Sequence, residues 1–296
     1  MVAISFHLRM TLIALLLTLG AAKANPQSTE KPVPFTTQKL KLQWTDGPLL
    51  QATLRLPQGL GPGQKIPVLL IFGGFESAGM VLDLVHSKQP MALASFDYPF
   101  SGSRGLKFPE DLKALPEAKR LFPTTVRGIM ELTKILKNRS DIDSKLIIGV
   151  GASFGSPFVL AAAAQDPGIS RVVLVHAFGQ APKTAEHVIL RSWLPRYGWI
   201  SRPVAWLLTR VGWLYLNIEP PEYYARQLTL AQRALLITAS QDTFIPQSAS
   251  DSLWGALKQS QAQVTRIFMT SNHLMPGSEK LIDQIIHEVE RWLGNS

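Results

Sequence analysis

Residues 146–157 read Leu-Ile-Ile-Gly-Val-Gly-Ala-Ser-Phe-Gly-Ser-Pro, and the rest of the chain is organised around them. Leu146, Ile147, Ile148 and Val150 make an apolar, β-branched run that ends at Gly151. Ser153 stands at the centre of a Gly-x-Ser-x-Gly pattern, and the Ala-rich segment from Val159 to Gln165 follows with no β-branched run to oppose a helix. The reading is strand, tight turn, helix. A serine on such a turn adopts strained backbone angles, and side chains two positions to either side would meet neighbouring backbone; glycine at 151 and 155 removes those collisions. The hydroxyl of Ser153 then projects above the C-terminal edge of a sheet, with a helix N-terminus beneath it.

The same alternation extends in both directions. Toward the N-terminus, Lys39 to Trp44 and Leu50 to Leu56 each alternate polar with apolar residues about a turn at Asp46-Gly47-Pro48, which predicts an antiparallel hairpin. Ile66 to Phe72 and Met91 to Phe96 are continuous apolar runs suited to strands buried on both faces. Helices are expected over Val81–Lys88 and over Thr124–Lys137, the second capped by Thr124 or Thr125 with Val126, Ile129, Met130 and Ile135 on its apolar face. Beyond the serine, strands are expected at Arg171–Val175, Ala234–Ala239 and Val264–Met269, with helices near Ser248–Lys258 and Ser278–Leu293. This order predicts an α/β fold: a mostly parallel sheet begun by an antiparallel hairpin, with helices on both faces.

At 296 residues and 46% hydrophobic, the chain can bury one large core. The N-terminus reads differently from the rest. His7 and Arg9 precede an apolar run from Met10 to Ala22, and Ala22-Lys23-Ala24 places small residues before a cut, so residues 1–24 are expected to be a cleaved signal peptide. Residues 25–38 are polar and Pro-rich and are expected to form a flexible leader. Absence of cysteine excludes disulfides, thiolate metal sites, a catalytic thiol and a lipidated cysteine. A periplasmic or secreted location follows as the expectation. The net charge of +9 is carried by scattered lysines and arginines without aromatic-basic interleaving, so nucleic acid is not an expected partner.

Residues just past the ends of parallel strands converge on one sheet edge. Ser153 is one of these, and Asp242 and His273 follow the last two strands in turn. A serine hydroxyl needs a base within hydrogen-bond reach, and an imidazole needs a carboxylate to hold its tautomer and stabilise the imidazolium that forms. The order Ser153, Asp242, His273 is the one expected when nucleophile, acid and histidine ride on successive strands. Asp97 and Asp251 compete with Asp242 as the acid, and His176 also lies past a strand end; Asp97 reads better as a loop-bracing residue and His176 as a pocket residue. His86, His187 and His287 fall on expected helix or cap surface, and no spacing of histidines and acids suggests a metal site.

Gly151 to Gly155, Asp242 and His273 resemble the nucleophile elbow, acid and histidine of the α/β-hydrolase superfamily, and the resemblance covers residues 39–293. Asp97 to Ser103 is similar to the loop after that family's fourth strand, with one of its two usual glycines. Ile71 to Phe75 resembles the family's His-Gly turn, with Gly73 in place of the histidine. The resemblance implies an oxyanion hole made by the backbone N–H groups of Phe75 and Phe154. It implies a serine hydrolase, esterase- or lipase-like, cleaving a carboxylic ester or thioester through an acyl-enzyme without cofactor or metal. Peptidase, amidase or acyltransferase chemistry, or a non-catalytic binding role, are the alternatives on the same fold.

Residues 180–230 interrupt the alternation between the two halves of the core, 39–179 and 231–296. They hold Trp193, Trp199, Trp206, Trp213, Tyr197, Tyr215, Tyr223 and Tyr224, interspersed with Arg196, Arg202 and Arg210. The resemblance implies a helical cap inserted here, as the family often has at this position. Three readings stand: an apolar lid that selects a hydrophobic substrate, a peripheral membrane contact through residues 193–216, or a cap packed on its own core.

Overall fold

The apolar runs pair into a single eight-stranded sheet in the computed structural model, which describes residues 34–45, 47–74, 77–87, 89–100, 115–275 and 277–294. The strands are β1 (Phe35–Leu42), β2 (Leu50–Pro57), β3 (Ile66–Phe72), β4 (Ala92–Phe96), β5 (Ile142–Ala152), β6 (Arg171–Val175), β7 (Arg233–Ala239) and β8 (Gln263–Met269). Their spatial order is β1-β2-β4-β3-β5-β6-β7-β8. β2 pairs antiparallel with both β1 and β4, and every later neighbour is parallel. This is the hairpin-initiated, mostly parallel architecture expected from the sequence.

The continuous apolar character of β3 has a direct cause in its place at the centre of the sheet. Val68, Leu70 and Phe72 face a core built with α2 (Leu115–Lys137), α3 (Ser156–Gln165), α6 (Pro221–Ala225) and α7 (Gln247–Leu257). Leu69 and Ile71 face the opposite core, closed by α1 (Ala78–Asp83) and α8 (Glu279–Gly294). A strand covered on both faces has no position for a polar residue. On α8 the buried stripe is Ile282, Ile285, Val289 and Trp292, at helical spacing.

Several boundaries differ from expectation, and three of them bear on the packing. β1 begins at Phe35, so residues 35–38 of the expected leader are strand, paired from Phe35↔Pro57 onward. α2 begins at Leu115 and runs through Pro123, so neither Thr124 nor Thr125 caps it, and Thr125 is fully buried within it. Proline removes one helical hydrogen bond and usually marks a first turn, but Ala118 and Leu121 are buried in the preceding turns, and that packing holds the helix together. α1 is only six residues long, Ala78–Asp83 rather than 81–88, started by the Ser77 hydroxyl accepting from the Met80 N–H. The expected signal peptide lies outside the described residues.

Between β6 and β7 the chain forms α4 (Ala181–Tyr197), a 3-10 turn at Gly198–Ile200, α5 (Ser201–Leu216) and α6. Arg210 of α5 pairs with Glu186 of α4 at 2.6 Å. The insertion is anchored at its base by the buried carboxylate of Glu222, which accepts from the Gln180 N–H and from the Ser252 hydroxyl of α7, both at 2.7 Å. Removing a buried acceptor strands both donors. Glu222→Ala is therefore expected to lower unfolding free energy by about 2–4 kcal/mol in urea denaturation, with Glu222→Gln recovering part of the loss.

Candidate active site

β5 ends at Ala152, Ser153–Gly155 form one 3-10 turn, and α3 starts at Ser156 with Pro157 in its first turn. Ser153 has φ 47, a left-handed backbone that serine adopts only where its surroundings enforce it. Both flanking glycines are required by contact. A Cβ on Gly155 would lie 2.0 Å from the carbonyl oxygen of Phe72, and one on Gly151 would lie 2.6 Å from Cα of Ser156. The Ser156 hydroxyl closes the turn by donating to the Ser153 carbonyl at 2.6 Å.

The sheet edge brings together the three side chains named from sequence. Ser153 Oγ lies 2.9 Å from His273 Nε2, and His273 Nδ1 lies 2.8 Å from Asp242 Oδ2. A carboxylate only accepts, so Nδ1 carries the ring proton and Nε2 presents its lone pair to the serine hydroxyl. The other oxygen of Asp242 accepts the N–H groups of Phe244 and Ile245, each at 2.8 Å. Burial works to raise the Asp242 pKa, but the hydrogen bond from His273, that ring's charge and the two backbone N–H groups together hold it below the ordinary carboxylate value. The His273 and Asp242 side chains are 3% and 7% exposed, so their pairing is shielded from water.

Two further residues support this arrangement. Asn272 Oδ1 accepts from the His273 N–H and from both the N–H and hydroxyl of Thr243, tying the loop after β8 to the loop after β7. A short polar side chain beside the histidine in Thr270-Ser271-Asn272 was its only sequence signal, and such residues are common in any loop. His176 follows β6, has φ 47 and is 2% exposed. Its Nδ1 accepts the N–H of Leu274, so it fastens the residue next to His273, and its ring centroid lies 5.6 Å from that ring. Burial, then the nearby His273 charge, lowers the His176 pKa to about 4, with Asp242 opposing the shift.

His176, Asp242 and His273 bring metal-ligand atoms within 4.8 Å of one another. However, both nitrogens of His273 and Nδ1 of His176 are engaged in hydrogen bonds, and neutral His176 then carries its proton on Nε2. A metal ion would have to displace those bonds, so the donor set fits a hydrogen-bonded relay better than a coordination sphere. Asp97 accepts the Ala78 N–H at 2.6 Å and so braces the start of α1, while Asp251 pairs with Arg266 at 2.8 Å on α7. Phe154 follows the serine at the start of the turn, its ring 5.5 Å from Tyr98 and 5.1 Å from Phe158. Phe75, the other expected oxyanion residue, lies outside the described residues, as do 101–103 of the loop after β4.

The depressed His176 pKa makes stability depend on pH. Between its ordinary value of 6.5 and about 4, the unfolded chain binds this proton and the folded chain does not, so stability falls as pH falls through that window. The total is on the order of 3 kcal/mol. Asp242, also lowered, adds a loss of the same sign below 3.8. Urea midpoints measured from pH 7 to pH 4 should decline in the wild type, and His176→Asn should flatten the decline above pH 4.

No curated protein matches the chain. Among solved structures, it is similar to acetyl xylan esterase 1 from Thermoanaerobacterium sp. JW/SL YS485, at 17% identity over 94% of this chain and 92% of that one, with a TM-score of 0.56. It is also similar to the acylaminoacyl peptidase of Pyrococcus horikoshii, at 16% identity over 88% of this chain and 42% of that one, TM-score 0.59. A puromycin-hydrolyzing peptidase of Mycobacterium tuberculosis matches at 16% identity over 88% of this chain and 40% of that one, TM-score 0.62. Identities this low speak for the fold alone. The model of the prolyl oligopeptidase family matches residues 85–296. The chain belongs to the prolyl oligopeptidase family and is a serine hydrolase of the α/β-hydrolase superfamily.

Proposed function

We propose that this serine hydrolase cleaves a carboxylic ester or thioester with a hydrophobic acyl group, using Ser153 as nucleophile, His273 as base and Asp242 to orient it. The observation that carries the chemistry is the continuous hydrogen-bonded chain from Asp242 through His273 to Ser153, set on a left-handed turn at a sheet edge. In the first step Oγ bonds to the acyl carbon while its proton passes to His273 Nε2. The N–H of Phe154, with that of Phe75, is assigned to the developing oxyanion, helped by the N-terminus of α3. His273 then returns the proton to the departing alcohol or thiol. Water, deprotonated by the same ring, attacks the acyl-enzyme; the Oγ–acyl bond breaks, the ring returns the proton to Ser153 Oγ, and the acid is released.

The acyl assignment rests on a cleft of about 230 Å³ that starts at Ser153 and Phe154 and descends the sheet face between α1 and α8. Central strands of a parallel sheet are ordinarily covered. Here α1 stops after six residues, and Val150 and Ala152 of β5 keep partial exposure. Ile71, Val81 and Ile285 line the walls. A second, apolar cavity of about 120 Å³ lies across Phe154, between α3 and the inserted helices, where Phe178 and Trp213 could receive the rest of the substrate. The peptidase alternative is favoured by the family match. Against an exopeptidase reading, Glu290 is the only charged residue lining the cleft among the described residues, and it is bonded to Ser87 at 2.7 Å. Export through the N-terminal signal segment is part of the same proposal.

A fluorophosphonate probe is expected to label the wild type and not Ser153→Ala, and ester turnover should fall at least about ten-thousand-fold in Ser153→Ala and His273→Ala. Equal labelling of wild type and Ser153→Ala would refute the assignment. With p-nitrophenyl esters, kcat/KM should rise from acetate to octanoate, and aminoacyl anilides should be poorer substrates. Val81→Phe, which narrows the cleft, is expected to lower octanoate kcat/KM about tenfold or more while sparing acetate.

A further inference from the structure

α4 and α5 form a helical hairpin whose outer surface is built opposite to that of an ordinary surface helix. α5 turns Ser201, Ala205 and Thr209 inward, where they are buried. Leu207, Val211 and Leu214 lie on the reverse side, 55%, 55% and 78% exposed. At the tip of the hairpin, Trp199 is 77% exposed and Ile200 stands beside it. Of the fourteen large apolar or aromatic side chains exposed among the described residues, nine fall between Leu194 and Tyr215. Scattered exposed leucines need no explanation, whereas a contiguous patch of this kind marks a contact surface.

Charge decides what covers it. From Trp193 to Leu216 there are three arginines and no Asp or Glu. Arg210 is held by Glu186 and stacks over Trp206, which leaves Arg196 and Arg202 exposed around the apolar face. A second copy docked on the same face would set these arginines against their counterparts without an intervening acid. An anionic lipid surface offers what the face lacks: phosphates for the guanidiniums, a headgroup layer for Trp199, Tyr197 and Trp206, and acyl chains for Leu207 and Leu214. α5 spans roughly 24 Å, short of a hydrocarbon core, and no described helix is long and apolar enough to cross a membrane. The contact is therefore one lying along the surface.

We infer that the outer face of the α4–α5 hairpin is a docking surface for anionic lipid bilayers, with Trp199, Leu207 and Leu214 inserting and Arg196 and Arg202 pairing with lipid phosphates. The inference is independent of the proposed chemistry, because it rests on the reverse side of α5 from Thr209 and Trp213, which line the cavity beneath. Vesicle flotation of the full chain tests it. Wild type and Ser153→Ala should both float with phosphatidylglycerol-containing vesicles, less with phosphatidylcholine alone, and less as salt rises. The variant Trp199→Gln/Leu207→Gln/Leu214→Gln should bind at least about tenfold more weakly, and Arg196→Glu/Arg202→Glu should lose the preference for anionic vesicles. All five residues are exposed, and retained fluorophosphonate labelling would confirm that the variants fold. Failure of the wild type to float at low salt would overturn the inference. So would equal flotation of the triple variant, since adhesion would then arise elsewhere in the chain. A dimer that dissociates in the triple variant, with no vesicle binding, would assign the face to a second copy instead.

Discussion

A Cβ placed on Gly155 would lie 2.0 Å from the carbonyl oxygen of Phe72, and the rest of the structure depends on that close approach. It lets the first turn of α3 sit directly against the end of β3, the strand that neighbours β5 in the centre of the sheet. With β5 and α3 both fixed by burial, the three residues between them have too little length to turn gently. Ser153 takes the strain as φ 47. Glycine at 151 and 155 is therefore a packing requirement, and the half-buried position of Ser153 at the mouth of the cleft is its result.

The histidine side of the site is held by a different device. His273 sits on a loop rather than on a strand, and loops position side chains poorly unless tied down. Here its own N–H goes to Asn272, the next residue's N–H goes to His176, and its Nδ1 goes to Asp242, whose second oxygen is occupied by the backbone of the β7 loop. His176 can serve as an acceptor because burial keeps it neutral. Orientation of His273 thus draws on the ends of three successive strands, β6, β7 and β8.

The molecule is asymmetric about Phe154. On one side, the inserted helices enclose a small apolar cavity; on the other, a short α1 leaves the sheet centre partly open down to Leu69 and Val289. The inserted hairpin is asymmetric again, with small residues against the core and large ones toward solvent. A helix placing its bulk outward gains little from the fold beneath it, which gives physical reason to look for its partner outside the chain.

Much of the architecture was legible in the sequence because its causes are local. Ile66–Phe72 and Arg171–Val175 are strands at the expected boundaries, since short runs rich in Val, Ile and Leu between turn signals suit doubly covered strands. Ser153, Asp242 and His273 could be named together because strand ends in a parallel sheet share one edge, a consequence of chain direction alone. Other features depended on partners far away in sequence. Thr124 and Thr125 read as helix caps, but burial of Ala118 and Leu121 carries α2 back through Pro123 to Leu115. Val81 to Lys88 could have been a longer helix, and its end at Asp83 opens the cleft. Asn272 and His176 look like ordinary loop residues until folding sets them against His273. Composition showed that residues 193–216 are apolar and basic. Only the tertiary structure decided which side of α5 faces out, because periodicity defines a stripe and packing determines what, if anything, lies against it.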